Sequence, residues 1–435
     1  MCSPEWRSCQ RFEVDIPENV LQNLSTLLRL SRLPEESFEN LQLDRRYGIT
    51  LPWMKNAKDI WETHFDWRKH ERCINRFPQY ITRVVDDDGR EYDIHFAALF
   101  SDQKKAIPIL LLHGWPGSFL EFLPMLDMVN RRLPRSESPY HLIAPSLVGY
   151  AFSSKPPLNK DSRIENGARI LDRFMDNLGF GTGYVVHGGD LGSDTARVMG
   201  ATHASCKGES RKAVHINFCY MPEPSMQKPL EVDDLDRVGI ERSRNFESVG
   251  NAYAKEHATR PSTVGIAVSS NPLSLLAWIG EKYLEWSDED PDLDTILQTA
   301  TLYWATETLP SSLYHYRQLF EPGSFGSHAN PEWYIGKPLG FSSFLHEIAP
   351  TPASWVRTTG NLIFYRRHEK GGHFAAIEQP EVLWDDIAAF VQQLSERTTK
   401  VNISVPGEEI DYFIVYDFPT FYIEPTGLFF ISILE

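Results

Sequence analysis

In the stretch "VVHGGDLGSDTAR", Val185 to Arg197, an apolar run enters a Gly-x-Asp-x-Gly turn and leaves toward a helical pattern. A strand, a tight turn of small residues and a helix hold the central side chain at the C-terminal edge of a sheet, with the N–H groups of the helix's first turn behind it. The central residue is Asp190, where an acyl-transfer enzyme would carry serine, and no Gly-x-Ser-x-Gly occurs anywhere in the chain. The choice of nucleophile has a chemical meaning. Serine attacking saturated carbon leaves a stable ether, whereas a carboxylate leaves an ester that water can release. Asp190 therefore suits displacement at sp3 carbon, either opening a strained epoxide or expelling a halide. The same five residues also suit an ordinary turn that favours Asp and Gly.

Releasing such an ester takes a base, an acid to orient it and donors for the oxyanion. "KGGHFAAIEQPE" offers His373 in a glycine-flanked loop downstream of the nucleophile, where that chain order puts the base. "LLLHGWPGS" follows an apolar run, and the backbone N–H of Trp115 in its turn could join that of Leu191 to hold an oxyanion. A rigid proline turn would carry the same "HGWPG" with no chemistry at all. The glycines Gly188, Gly189 and Gly192 fit a turn in which side chains have no room.

The elements that must position these residues follow from hydrophobic period. "IPENVLQNLSTLLRLSRLP" and "LPWMKNAKDIWETHFDWRKHERCINRF" have apolar residues at helical spacing and form a helical preface, with Trp53, Trp61 and Trp67 as packing residues. "YITRVVDDDGREYDIHFAALF" changes to a period of two around an Asp-Gly turn, a hairpin signal. Strands "IPILLLH", "YHLIAPSL", "YVVHGG" and "AVHINF" then alternate with helices, which implies a mostly parallel sheet covered on both faces. From about Met221 to Gln318 the pattern is helical, as a lid inserted above the strand ends would be; strand-like "PLGFSSFLH" and "NLIFYRR" and the helix "PEVLWDDIAAFVQQLSE" complete the alternation. After Glu396 the chain turns aromatic and strand-like with no obvious pairing partner: an added edge strand, a flexible tail or a peculiarity of this chain.

Taken in order and at this spacing, "HGWPGS", "GGDLGS" and "GGHFAAIEQPE" behind a helical preface resemble the microsomal-type epoxide hydrolases and their soluble relatives. The resemblance runs from about Phe12 to Glu396. It implies an α/β-hydrolase fold with residues 1–95 as the N-terminal segment, 96–222 and 321–397 as the two parts of the core, 223–320 as a helical lid and 398–435 as a tail outside the likeness. It also implies an activity, the addition of water to an epoxide to give a vicinal diol. Glu347 in "LHEIAPTPASW" matches the family's orienting acid, with Glu369, Asp385 and Asp386 as nearby rivals. Tyr253 in "NAYAKEHATRP" and Tyr316 in "SSLYHYRQ" match two lid tyrosines that donate to the epoxide oxygen, Tyr314 being the alternative to the second. Two phenols make sense there, because ring opening creates an alkoxide in a water-poor pocket and a phenol stays protonated until that charge develops. Leu191 stands where the family usually has tryptophan, and Val148 where it usually has proline. A backbone N–H survives the first change, and the second touches only a loop near the nucleophile.

The remaining numbers narrow the rest. The 435 residues carry 43 Lys and Arg against 59 Asp and Glu, a net charge of −16 with no basic block, so nucleic acid is not an expected partner. No apolar run is long enough for a membrane span and no signal peptide opens the chain, which places it in the cytoplasm, with a homodimer suggested by soluble relatives. The five cysteines lack metal-ligand spacing and read as reduced thiols. No cofactor is expected: "GFGTGY" precedes a strand instead of opening a helix, and His368 and His373 lack the zinc-protease helix pattern. A dehalogenase would share the aspartate but lose a halide donor at Leu191, and a silent ligand-binding protein could dispense with any member of the site.

Overall fold

The computed structural model describes residues 9–202, 211–321, 327–397, 400–405, 408–415 and 422–424. They fall into two compact units, Met1–Leu383 and Trp384–Glu435. In the first, strand β1 (Gln10–Phe12) is followed by helices α1 (Glu18–Leu30), α2 (Leu51–Thr63) and α3 (Trp67–Ile74). Helix α1 starts after Pro17, has Glu18 in its first turn and Arg29 in its last, and buries Leu24 and Leu28 one turn apart. Thr50 caps α2 by accepting from the Trp53 N–H, and Leu51, Met54, Ala57 and Trp61 form its inner stripe. Trp61 uses its indole as well as its bulk, donating from Nε1 to Thr301 Oγ1 at 3.1 Å.

The hairpin read from the Asp-Gly turn is β2 (Gln79–Val85) with β3 (Glu91–Leu99), antiparallel from Gln79↔Ala97 to Val85↔Glu91. Then come β4 (Ile107–Leu112), α4 (Leu123–Arg132), β5 (Tyr140–Pro145), α5 (Ile164–Asn177), β6 (Gly183–Gly188), α6 (Asp190–Ala201) and β7 (Arg211–Ile216). Between β7 and the next strand lie α7 (Asp234–Asn245), α8 (Ala252–Thr259), α9 (Pro261–Ser269), α10 (Pro272–Trp286), α11 (Leu293–Thr306) and α12 (Tyr314–Leu319). The chain returns through β8 (Ile335–Phe344), α13 (Ala353–Val356), β9 (Gly360–His368) and α14 (Ala375–Glu378), and α15 (Pro380–Arg397) crosses into the second unit.

Nine strands join in the order β1-β2-β3-β5-β4-β6-β7-β8-β9, parallel from β5 to β9 and antiparallel before it. Ile109 to Leu112 of β4 are fully buried, which explains why that strand reads as an unbroken apolar run instead of an alternation. The chain leaves β4 to one side for β5 and to the other for β6, so the order reverses at β4 and the C-terminal ends of β4 and β6 lie together, in register at Leu112↔Gly188. That is where an open parallel sheet forms its crevice.

Two elements differ from the sequence reading. Residues 10–12, too short to show a period, extend the sheet as β1, paired with β2. The aromatic tail, for which no partner was evident, finds one within itself: β10 (Lys400–Val405), β11 (Glu408–Val415) and β12 (Tyr422–Glu424) form an antiparallel sheet of three. The rest of the tail, like Cys2 and Cys206, lies outside the described residues; Cys9, Cys73 and Cys219 are free thiols. Among the described residues no single helix is long and apolar enough to cross a membrane.

Candidate active site

Asp190 is the first residue of α6 and sits at φ +45°, a left-handed conformation that a side chain rarely adopts. The strain is held by close backbone packing around the turn. A Cβ on Gly192 would lie 2.3 Å from the Leu112 carbonyl oxygen, one on Gly188 2.2 Å from the Gly192 oxygen, and one on Gly114 2.2 Å from Asp190 Oδ1. Helix α6 can therefore press onto the end of β4 only because these positions lack side chains. The result brings the two turns into contact: the Trp115 N–H donates to Asp190 Oδ1 at 2.7 Å. The Leu191 N–H, in the first turn of α6, has no acceptor within the helix.

The second carboxylate oxygen meets a histidine. His373 Nε2 is 3.2 Å from Asp190 Oδ2, and His373 Nδ1 is 2.6 Å from Glu347 Oε1. Three different connections supply these groups: Asp190 follows β6, Glu347 follows β8, and His373 lies between β9 and α14. Helix α10 fixes the last of them, since the Trp286 carbonyl accepts from the His373 N–H at 2.9 Å. Glu347 Oε1 also accepts from the Ile348 N–H at 2.7 Å, so that carboxylate is oriented from its own turn. Burial alone would lower the His373 pKa, but the carboxylates of Glu347 and Asp190 outweigh it and hold the imidazole well above its usual value.

Tyr253 on α8 and Tyr316 on α12 are both buried, with ring centroids 5.9 Å apart. Trp115 stacks on Tyr253 at 5.4 Å and meets Tyr316 edge-on at 6.0 Å, so both phenols border the turn that touches Asp190. Burial, followed for Tyr253 by the Asp190 charge and for Tyr316 by Tyr253 and Asp190, raises both phenols well above 10. They are protonated in the resting enzyme. Tyr314 points elsewhere: its hydroxyl packs beside Gly167 of α5, and burial, then Tyr92 and Arg317, acts on it instead of Asp190. The geometry thus groups Asp190, His373, Glu347, Trp115, Leu191, Tyr253 and Tyr316, and separates Tyr314 from them.

Known proteins identify the family. Residues 9–122 match the family described as epoxide hydrolase N terminus, and residues 107–242 match the alpha/beta hydrolase fold. The solved epoxide hydrolase of Aspergillus niger is 45% identical, with a TM-score of 0.83 over 89% of this chain and 96% of that one. Epoxide hydrolase 1 of the rabbit, Oryctolagus cuniculus, is 30% identical over 424 residues, 89% of each chain. The chain belongs to the epoxide hydrolase family. A provisionally named epoxide hydrolase of Dothistroma septosporum is 40% identical over 385 residues, covering 87% of this chain and 89% of that relative.

This epoxide hydrolase has site residues that its sequence did not advertise. A cavity of about 20 Å³ lies against Asp190 and His373, lined also by Glu121, Asn217 and Ala375. It has room for roughly one water molecule. Glu121 belongs to a short 3-10 turn, Phe119–Phe122, that follows Trp115, and its carboxyl also borders a cleft of about 290 Å³ toward α3, α4 and α11. Burial and then the Asp190 charge push the Glu121 carboxyl up to about 8. In sequence "GSFLEF" looks like a helix start with one solvated glutamate, and nothing local says that it faces Asp190. Among the described residues no cluster of three or more His, Cys, Asp or Glu could hold a metal ion.

Proposed function

We propose that this epoxide hydrolase opens its substrate by covalent catalysis, with Asp190 as nucleophile. Oδ1 accepts the Trp115 N–H and stays there for the later oxyanion, while Oδ2, in contact with His373 Nε2, turns to attack a ring carbon in line. The carbon–oxygen bond of the ring breaks, and the departing oxygen takes a proton from one phenol of the Tyr253–Tyr316 pair. Water in the small cavity then adds to the ester carbonyl carbon while His373 Nε2 takes its proton. The oxyanion forms on Oδ1, between the N–H groups of Trp115 and Leu191. Collapse releases the diol with the proton from His373, and the regenerated Asp190 carboxyl returns a proton to the phenolate.

The observation that carries this reading is the Asp190 carboxylate itself, with one oxygen on a backbone N–H and the other on a histidine backed by Glu347. It also explains how one imidazole serves both states. In the free enzyme the Asp190 charge helps keep His373 protonated; ester formation cancels that charge, so the imidazole gives its proton to solvent before acting as base and takes one back when the Asp190 carboxylate is restored. The base is released when its water is needed. A single turnover in heavy-oxygen water is the test: label enters the Asp190 carboxylate first and the diol only on later turnovers. Label in the diol of the first turnover would refute the covalent route. Offering a chloroalkane beside the epoxide tests the dehalogenase alternative, for which chloride release is the sign. We further read the chain as a cytoplasmic homodimer, which light scattering on the purified protein checks for assembly.

A further inference from the structure

Helix α10 carries an aromatic cage around a buried cation. Trp278, Lys282 and Trp286 follow one another at intervals of four residues, which places them on one face of the helix. Lys282 is only 4% exposed. Its ammonium lies 4.6 Å from the ring centroid of Tyr253, 5.6 Å from that of Trp278 and 5.8 Å from that of Trp286. Tyr253, on α8, is the nearest of the three rings and belongs to the active site.

We propose that Lys282 is a positioning residue acting through Tyr253: its ammonium, held against the ring face, stabilises the phenolate that forms as Tyr253 gives its proton to the opening epoxide oxygen. This rests on the reading of Tyr253 as a proton donor. A cation over an aromatic face is attracted by the ring's electron density, and that density rises as the phenol loses its proton. The contact is therefore stronger in the transition state than in the ground state, which is the condition for accelerating the step. Desolvation raises its value further.

The surrounding charges favour this direction. The counter-ion of Lys282 is its neighbour Glu281, whose side chain is 32% exposed against 5% for Lys282. Water screens the negative end of the pair, while the positive end faces the ring without it. On α10 one turn further on, burial raises the Glu285 carboxyl and Lys282 acts to lower it. On α8, His257 is pushed down to about 3, first by burial and then by Lys282. It is thus neutral, and its Nε2 accepts from Trp278 Nε1 at 3.0 Å. The imidazole beside Lys282 adds no second positive charge, and the Lys282 ammonium acts on the phenol ring without competition from it.

The test separates the two half-reactions in the full chain by rapid quenching and mass analysis of the Asp190 peptide. In Lys282→Met, ester formation should slow about ten-fold, equivalent to ~1.4 kcal/mol of barrier, and ester hydrolysis should hold to within about two-fold. Lys282→Arg, which keeps the cation, should recover most of the loss. In a Tyr253→Phe background the Lys282→Met change should add nothing to ester formation, because the group it acts through is gone. Lys282→Gln replaces Lys282→Met, with the same outcomes, should the latter not fold. Equal slowing of both half-reactions, or the same loss in the Tyr253→Phe background, would show a structural lysine and overturn the proposal. A parent that forms ester beside a Lys282→Met variant that matches it overturns the role of Lys282 alone; a parent that forms no ester overturns the covalent mechanism beneath it.

Discussion

In the proposed mechanism Asp190, His373 and Glu347 divide the labour of two steps, and the division predicts an asymmetric mutant. His373→Gln should still let Asp190 attack, because ring opening needs no base, but the ester should persist, with hydrolysis slowed by ~100 to 10,000-fold. Intact-mass measurement after substrate addition checks this by an adduct of the substrate's mass. How much of this was legible in the sequence differs from residue to residue. Asp190 stood out because a carboxylate in a strand–turn–helix has a chemical meaning, and His373 because chain order limits where a base can come from. The roles of Glu347, Tyr253 and Tyr316 came from family likeness, since carboxylates and tyrosines abound and their spacing has no fixed relation to the nucleophile. Glu121 and Lys282 stayed hidden for another reason. Both look like solvated charges on helical segments, and only long-range packing buries them: Lys282 under a ring from α8, Glu121 against Asp190.

At the scale of elements, the site depends on how closely α6 approaches β4. Gly192→Ala would place a methyl group 2.3 Å from the Leu112 carbonyl oxygen and 2.6 Å from that of His113, and both atoms are backbone of the neighbouring strand end. The helix must shift, at a cost of about 1–3 kcal/mol, and carry Asp190 with it. Displacement of a reacting atom by about an ångström is worth ~100-fold in rate, so activity should suffer more than stability. Gly336→Ala is the control, because nothing lies within 4 Å of its added Cβ. Paired thermal melts and diol assays on the two variants measure the difference. The strand–helix alternation was readable because buried parallel strands give short apolar runs between helices of ordinary period. The break between α2 and α3 and the pairing of β1 were not, since a three-residue turn and a three-residue strand carry too little pattern.

Across the whole molecule, several imidazoles among the described residues are buried and neutral. Burial pushes His95, His257 and His315 down to about 3 and His113 and His141 to about 4, with lesser effects of neighbours. A histidine with a depressed folded pKa binds its proton in the unfolded chain first. The contribution of these five groups is therefore intact above about pH 6.5 and is lost as the medium is acidified below it, each costing up to ~1.4 kcal/mol per pH unit, against the opposite trend of His373 and Glu121, whose pKa values are raised. Melting temperatures taken between pH 5 and 8 check this, and a flat profile down to pH 5 would contradict it. None of these histidines advertises its burial in sequence, because each sits beside apolar residues whose partners lie in other elements.

In the proposed mechanism the small void beside Asp190 and His373 also bears on what the ester can become. At about 20 Å³ it admits the smallest nucleophile and little else. Methanol, which outcompetes water at many acyl-enzymes, should find no foothold, and reactions run in dilute methanol should yield diol free of the glycol methyl ether. A void of that size predicts that water is preferred over alcohols as the acceptor in the proposed second step.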